Sequence, residues 1–557
     1  MVRSLLSVIG KEVRGMHEAA YLLAAFALGS QFLALIRDHL LARQFGASHT
    51  LDLYYAAFRI PDFLFATVAS LLSLYALLPV LSRLEQESQS RMVAFLRQIL
   101  WLFFVGMGAI SLITFFLVPT LLHLIAPGLM SPDLVLLARI LLLQPIFLGA
   151  SNILASLTQM RSRFFLYSVS PLLYNLGIIF GIIFLYPKMG VAGLGWGVVL
   201  GAVCHLLVQL PYFASEKAEK PLPARQLMRE FFSVLGLSVP RTLALAAGQI
   251  SLLALVSLAS VLSAGSISIF MFAYNLQAVP LTIIGVSYSV AAFPTLARLH
   301  AAGNHAEFSR YIETALRHIF FWSIPATVFI IVLRAQLVRV ILGAGAFDWG
   351  ATRLTAAALA LFILSLAAQS ISLLIARGYY AAGNTRKPLY YGIIDVVVSI
   401  GSAAICVSLF RSSPFIRDFV ESMLRVSDVP GTMVLMLAFG FALGSIAEFL
   451  VSYVYFLRDF KLSHIKLGRL VFQSFSASVI GGSATYVVLA LTGTAGQVDT
   501  AIGLLLQGAV AGLLGVGISV FILSLLQNQE LGEAIRALRH RFTRLSATPL
   551  EATEISS

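Results

Sequence analysis

The chain has 557 residues, 59% of them hydrophobic and only 11% charged, where a soluble domain carries about 25% charged residues. That balance excludes a soluble globular protein and predicts an all-α polytopic membrane protein. The net charge of +13 does not point to nucleic acid, because the basic residues stand in short clusters between apolar runs, the pattern that membrane orientation produces.

Residues 1–18 mix Lys11, Glu12 and Arg14 with Leu5, Leu6, Val8, Ile9 and Val13. They contain no long apolar stretch and no small-residue cleavage site, so the expectation is an amphipathic helix on the cytoplasmic headgroups rather than a signal peptide. About 20 apolar residues cross a bilayer, and fourteen such runs follow. They lie near 19–42, 51–81, 94–119, 132–157, 164–186, 190–213, 231–262, 266–296, 313–334, 352–376, 387–410, 431–456, 468–492 and 500–526. The first is the least regular, since Gly29, Ser30 and Gln31 interrupt it, as a kink lining a cavity or as a frayed entry. Small-xxx-small pairs at Gly177/Gly181, Gly197/Gly201 and Gly440/Gly444 predict close helix approach. Prolines inside runs, among them Pro61, Pro145 and Pro280, free backbone carbonyls and permit bends.

Loop charge alternates. Clusters such as Arg83/Arg91/Arg97, Arg161/Arg163, Lys217–Arg229 and Arg298/Arg310/Arg317 fall on one side, whereas 120–131, 263–265 and 493–499 carry no Lys or Arg. Arg334/Arg339/Arg353 and Arg411/Arg417/Arg425 break the rule, but the bias predicts an even number of spans with both termini cytoplasmic. The polar linker 215–230 and the interruption at 457–470 then divide the chain into a lobe at 19–214, a second at 231–456 and a final pair of spans at 457–526. Two six-helix lobes around a central site are a transporter plan. Segment 411–430 is too charged to span and reads as an amphipathic surface helix. The basic tail, 527–557, begins helical and ends in a polar stretch expected to be disordered.

No phosphate-binding glycine loop, metal-ligand cluster or nucleophile constellation is present, so neither an enzyme nor a nucleotide-driven pump is expected. Any active transport then draws on a gradient or on the membrane potential. Cys204 and Cys406 sit in apolar runs and are expected reduced, and His205 is expected to be a packed helix residue. The informative residues are the charges inside spans, which cost roughly 2.5–3.5 kcal/mol each unless paired or wet. Arg37 and Asp38 are adjacent, so they are expected to point about 100° apart on a helix, one into a cavity and the other to a separate partner. Asp52 and Arg59 are seven residues apart, two turns on one face. They are either an interhelical salt-bridge cluster or a cationic site for an anionic headgroup. Asp395, Glu448 and Gln249 lie deeper in three spans, and the acids either bind a coupling ion, Na+ or H+, or share a proton structurally.

The stretch from Ile36-Arg37-Asp38 to Phe45-Gly46-Ala47, followed by Leu51-Asp52-Leu53-Tyr54-Tyr55 and Arg59-Ile60-Pro61, resembles the opening of the MurJ (MviN) lipid II flippases. Ala126-Pro127-Gly128, Trp196-Gly197, Pro294-Thr295-Leu296-Ala297, Gly303-Asn304 and Thr385-Arg386-Lys387-Pro388 resemble the same family in order. The resemblance implies the multidrug/oligosaccharidyl-lipid/polysaccharide exporter fold. It further implies transport of polyprenyl-pyrophosphate-linked disaccharide-pentapeptide across a bacterial cytoplasmic membrane by two lobes that alternate access, with a groove for the lipid tail at the last two spans.

The family's cavity arginines are partly missing. Gln31 and Asn275, the last in the stretch Ala273-Tyr274-Asn275, stand where it carries Arg, and another of its arginines falls near Phe65. Arg37, Asp38, Asp52, Arg59, Asn275 and Arg377 are the substrate-binding set this implies, with Arg241 a further replacement cation. A same-fold exporter of another polyprenyl-linked glycan or amphiphile is the alternative. The expected partners are the anionic lipid-linked glycan and membrane lipids, without nucleotide or nucleic acid.

Overall fold

The computed structural model describes residues 16–72, 74–161, 163–216, 220–462, 467–494 and 501–536. The expected N-terminal amphipathic helix, apart from Met16–Glu18, lies outside the described residues. So do Lys217, part of the 457–470 interruption, most of the 493–499 loop and the tail beyond 536.

Fourteen helical passages follow one another among the described residues: α1 (Met16–Phe45), α2 (His49–Glu87), α3 (Gln89–Ile125), α4 (Pro132–Met160), α5 (Phe164–Met189), α6 (Val191–Ala214), α7 (Ala224–Ser260), α8 (Ser266–Ala301), α9 (His305–Leu342), α10 (Trp349–Ile363 with Leu366–Ala381, bent by 45°), α11 (Arg386–Ser412), α13 (Val434–Asp459), α14 (Gly468–Thr494) and α15 (Ala501–Leu525). The short α12 (Pro414–Leu424) lies between α11 and α13, within the segment read as a surface helix. Eleven passages are long and apolar enough to cross a bilayer, and the bent α10 makes twelve. Large side chains such as Trp101, Phe116, Leu124, Phe472 and Leu513 are exposed, the surface of a protein solvated by hydrocarbon. In the first of the two units described below, the connections α1–α2, α3–α4, α7–α8, α9–α10 and α11–α13 lie against one another, with Gly46 on Ala346, Gly128 on Ser260, Gly265 on Ala47 and Arg353 on Arg425, and this end of the unit is called the far end below.

Three details depart from the sequence reading. α1 runs unbroken through Gly29, Ser30 and Gln31, because a helix interior tolerates each of these residues at well under the cost of a proline. The second half of the 215–230 linker is already helix, with α7 beginning at Ala224 directly after Pro223. Apart from the bent α10, irregular turns occur instead at several of the passages with proline. α2 turns at Phe58 before Pro61, α4 turns at Leu142 and Leu143 before Pro145, and α8 widens into a π turn at Thr282–Val286 after Pro280. Each proline removes one i→i−4 donor and crowds the preceding turn.

The fold comprises two compact units. The first holds the described residues up to Val279, with Ile341–Phe362 and Asn384–Glu448. Its apolar core lies among α2, α3 and α4, where Phe95, Leu96, Ile99, Ile153 and Leu157 are buried. α5 and α6 meet through the predicted glycines: Gly177 stacks on Gly201 and Gly181 on Gly197, so that a Cβ at Gly181 would stand 2.5 Å from the Gly197 Cα. Gly440 and Gly444 of α13 likewise lie on Ala403 and Ser399 of α11. The second unit holds Pro280–Val340, Ile363–Gly383 and the described residues from Phe449. There α14 and α15 pack along small residues, with the Ser519 hydroxyl donating to the Ala477 carbonyl at 2.9 Å. Arg317 pairs with Glu530, and Tyr379 donates to Asp459 at 2.7 Å.

Candidate functional site

The polar centre of the first unit begins in α1. Nε and Nη2 of Arg37 donate to Oδ1 of Asp38 at 2.9 and 2.8 Å, and Nη1 donates to Oδ1 of Asn175 on α5 at 3.2 Å. Adjacent residues were expected to diverge. The correction is that arginine is long enough to curl back, and an uncompensated charge in a dry bundle costs more than the bent rotamers. Asp38 is 3% exposed, and its second oxygen accepts from Asn275 Nδ2 on α8 at 3.0 Å. One carboxylate thus joins α1 to α8, and one guanidinium joins α1 to α5. The Arg37 side chain remains about one-fifth exposed.

About three turns into α2, Arg59 donates to the Tyr55 carbonyl at 3.2 Å and faces Asp62 at 3.5 Å. Asp62 also receives Gln144 of α4 at 3.5 Å. Among the described residues, Arg59 Nη1, Gln144 Oε1 and the Tyr55 hydroxyl are buried without a protein partner. Orphaned buried polar atoms in a native fold call for water or a ligand. Arg59, Asp62 and Gln144 form a second polar station, and Gln144 escaped the sequence reading because an amide inside an apolar run carries no charge signal.

Asp52 does something else. Its carboxylate accepts from the backbone N–H of Gly265 at 2.6 Å and from the N–H and hydroxyl of Ser268 at 2.7 and 2.6 Å. It is 2% exposed and caps the N-terminus of α8, where backbone donors and the helix dipole favour an anion. It neither pairs with Arg59 nor presents itself to a ligand. Gly265 has φ +88°, and a Cβ there would meet the Ala47 carbonyl oxygen at 2.5 Å. Ala346 N–H donates to the Arg43 carbonyl at 3.0 Å, and His39 Nδ1 lies 2.7 Å from the Ile341 carbonyl. The far ends of α1 and α2 are therefore stitched to those of α8, α9 and α10.

The deeper acids sit on facing helices. Asp395 of α11 accepts from Ser399 and from Ser445 of α13, each at 3.4 Å, and Glu448 is one turn on from Ser445. Gln249 is half-buried on α7, which packs against α11. Arg377 belongs to the second unit, with its guanidinium 5.7 Å from the Phe293 ring centre. The Arg241 side chain lies outside the described residues.

The sequence model of the family described as "Lipid II flippase MurJ" matches residues 41–415. The chain is 28% identical over 401 residues to the lipid II flippase MurJ of Burkholderia cenocepacia, covering 69% of this chain and 77% of that one. It is 26% identical over 481 residues to the probable lipid II flippase MurJ of Thermotoga maritima, covering 79% and 97%. Among solved structures it is similar to a lipid II flippase MurJ in an inward closed conformation, with TM-score 0.69, 21% identity and coverage of 91% and 100%. It is also similar to an inward-facing multidrug resistance MATE family transporter of the MOP superfamily, with TM-score 0.64, 15% identity and coverage of 78% and 96%. The structural likenesses give the same polytopic helical fold.

Proposed function

Because the chain belongs to the lipid II flippase MurJ family, we propose that it translocates lipid II, the polyprenyl-pyrophosphate-linked peptidoglycan precursor, across the bacterial cytoplasmic membrane. The observation that carries the reading is the Arg37–Asp38–Asn275 triad, held inside a largely apolar bundle. A pyrophosphate needs a cation with a directional donor fork, and arginine supplies it. Loading is then an exchange: the phosphate oxygens take Arg37 from Asp38, while Asn275 keeps a hold on the other Asp38 oxygen. Arg59 Nη1 supplies a second donor that has no protein partner to surrender.

Both termini are cytoplasmic on this reading and the far end faces outward, so the stitching of α1 and α2 to α8–α10 acts as the outer gate. Translocation requires that gate to open while the opposite end closes. Asp395, Glu448 and Gln249 are the proposed coupling site for Na+ or H+, since two acids on facing helices change their net charge when one cation binds. As a transporter the protein needs no covalent chemistry of its own.

Gln31, Phe65 and Asn275 in place of arginines favour a second reading, a same-fold exporter of another polyprenyl-linked glycan with less phosphate charge to match. Complementation separates the two. The protein is expressed in bacteria depleted of their own lipid II flippase, with Arg37→Ala as control and membrane abundance measured in parallel. Rescue by the unaltered chain alone supports lipid II transport, whereas failure at normal abundance moves the assignment to the second reading.

A further inference from the structure

The segment that breaks the charge rule at the far end is a built feature. Ser413 caps α12, its hydroxyl accepting from Ile416 N–H at 3.4 Å, and Arg425 ends the helix in the left-handed region at φ 62°. Arg353 locks that end by binding Asp428 at 2.6 and 2.7 Å, together with the Arg425 carbonyl. Ile416, Phe419, Val420 and Met423 repeat at i, i+3, i+4 and i+7 along one face. This stripe, with residues of α10, α11 and α13 such as Leu361, Cys406 and Phe439, encloses a wholly apolar cleft of about 330 Å³. The other flank of α12 borders a polar hollow of about 640 Å³ that contains Arg411, Arg417, Asp418 and Glu421.

The cleft walls are membrane passages, so what meets the cleft is the bilayer. An apolar cavity excludes water and accepts hydrocarbon, and an amphipathic helix at a span end lies at headgroup level. Arg411 is in the last turn of α11 and Met433 directly precedes α13, which puts the polar hollow at that depth. Its charges balance, two guanidiniums against two carboxylates. Arg417 Nε is 3.8 Å from Asp418, too long for a hydrogen bond. Glu421 spends one oxygen on the Thr432 hydroxyl at 2.6 Å. Balanced, weakly engaged charges of both signs complement a zwitterion, whereas a basic patch alone would suit an anionic lipid.

We propose that α12 and its two flanking hollows bind a zwitterionic phospholipid with a primary amine, phosphatidylethanolamine, from the leaflet at the far end. One acyl chain fills the apolar cleft, the phosphate lies on Arg411 and Arg417, and the ammonium donates to Asp418 and Glu421. Choline, which has no N–H, satisfies the carboxylates only through its charge.

Purified full-length protein is equilibrated with dioleoyl phosphatidylethanolamine, phosphatidylglycerol or phosphatidylcholine, and retained lipid is counted by native mass spectrometry. The proposal expects phosphatidylethanolamine to be retained roughly three- to tenfold better than the other two. Val420→Trp, which fills the cleft, and the pair Arg411→Ala with Arg417→Ala are each expected to remove that excess. Asp418→Asn should bring phosphatidylethanolamine down to the level of phosphatidylcholine. Equal retention of all three by the unaltered chain overturns the proposal without reference to any variant, and a preference for phosphatidylglycerol replaces it with an anionic site. A phosphatidylethanolamine excess that survives Val420→Trp places the lipid elsewhere.

Discussion

Arg37 makes three hydrogen bonds with its guanidinium and still keeps part of its surface open. Alanine at this position removes the one cation of the triad and leaves Asp38 buried with only Asn275 as a partner. Arg37→Ala is therefore expected to abolish complementation while membrane abundance stays near normal, and growth at the unaltered rate would remove Arg37 from the substrate site. Asn275→Arg tests the same triad from the other side. A guanidinium there takes over Asp38 and releases Arg37 toward the cavity, so the variant should transport as well as the unaltered chain or better. Clear loss of rescue would count against a pyrophosphate ligand. At this scale the sequence was informative about which charges matter and silent about their pairing. Arg37, Asp38 and Asn275 do converge, but the Arg37–Asp38 contact depends on side-chain rotamers that helical spacing does not encode. Gln144 carried no signal because an amide has no charge to stand out against Leu and Phe.

Among the elements, α8 shows how a charge that looks functional can be architectural. Asp52 was legible as an intramembrane acid, yet its partners are backbone N–H groups more than 200 positions away, which no periodicity reveals. Its removal strands three buried donors, two backbone N–H groups and the Ser268 hydroxyl, at about 1–3 kcal/mol each. Asp52→Ala should thus lower the thermal midpoint of the purified protein by several degrees and loosen the far end, and an unchanged midpoint would deny it the capping role. Gly265→Ala is expected to act in the same direction, because it forces a Cβ into φ +88° against the Ala47 carbonyl. The passages themselves were legible from composition, since about 20 apolar residues cross a bilayer whatever the tertiary context. The glycine pairs of α5 and α6 were legible too, because close backbone approach needs a missing Cβ on both helices. Breaks were legible only in part. Proline marks the turns at Phe58 and Leu142, whereas the 45° bend of α10 at Leu364 and Ser365 has no proline beside it.

For the whole molecule the open matter is where the driving force enters. Arg37 and Asp38 cancel each other, so an anionic headgroup brings net negative charge into the first unit. Moving one such charge across the membrane is worth roughly 2.3 kcal/mol per 100 mV, and with an inside-negative potential the outward direction is favourable. A cation bound between α11 and α13 and returned inward in the empty state would add its own gradient to that. Among the described residues Asp395 is held by two long serine contacts, an undemanding arrangement that a cation improves on by bringing oxygens together. Replacing Asp395 with Asn and Glu448 with Gln in one chain keeps the shapes and removes the charges. If these acids couple transport to an ion, flipping in reconstituted vesicles becomes insensitive to the Na+ or H+ gradient while its response to an imposed potential persists. If gradient dependence is unchanged, the two acids are structural and the membrane potential acting on the substrate's own charge becomes the sole remaining drive in this scheme.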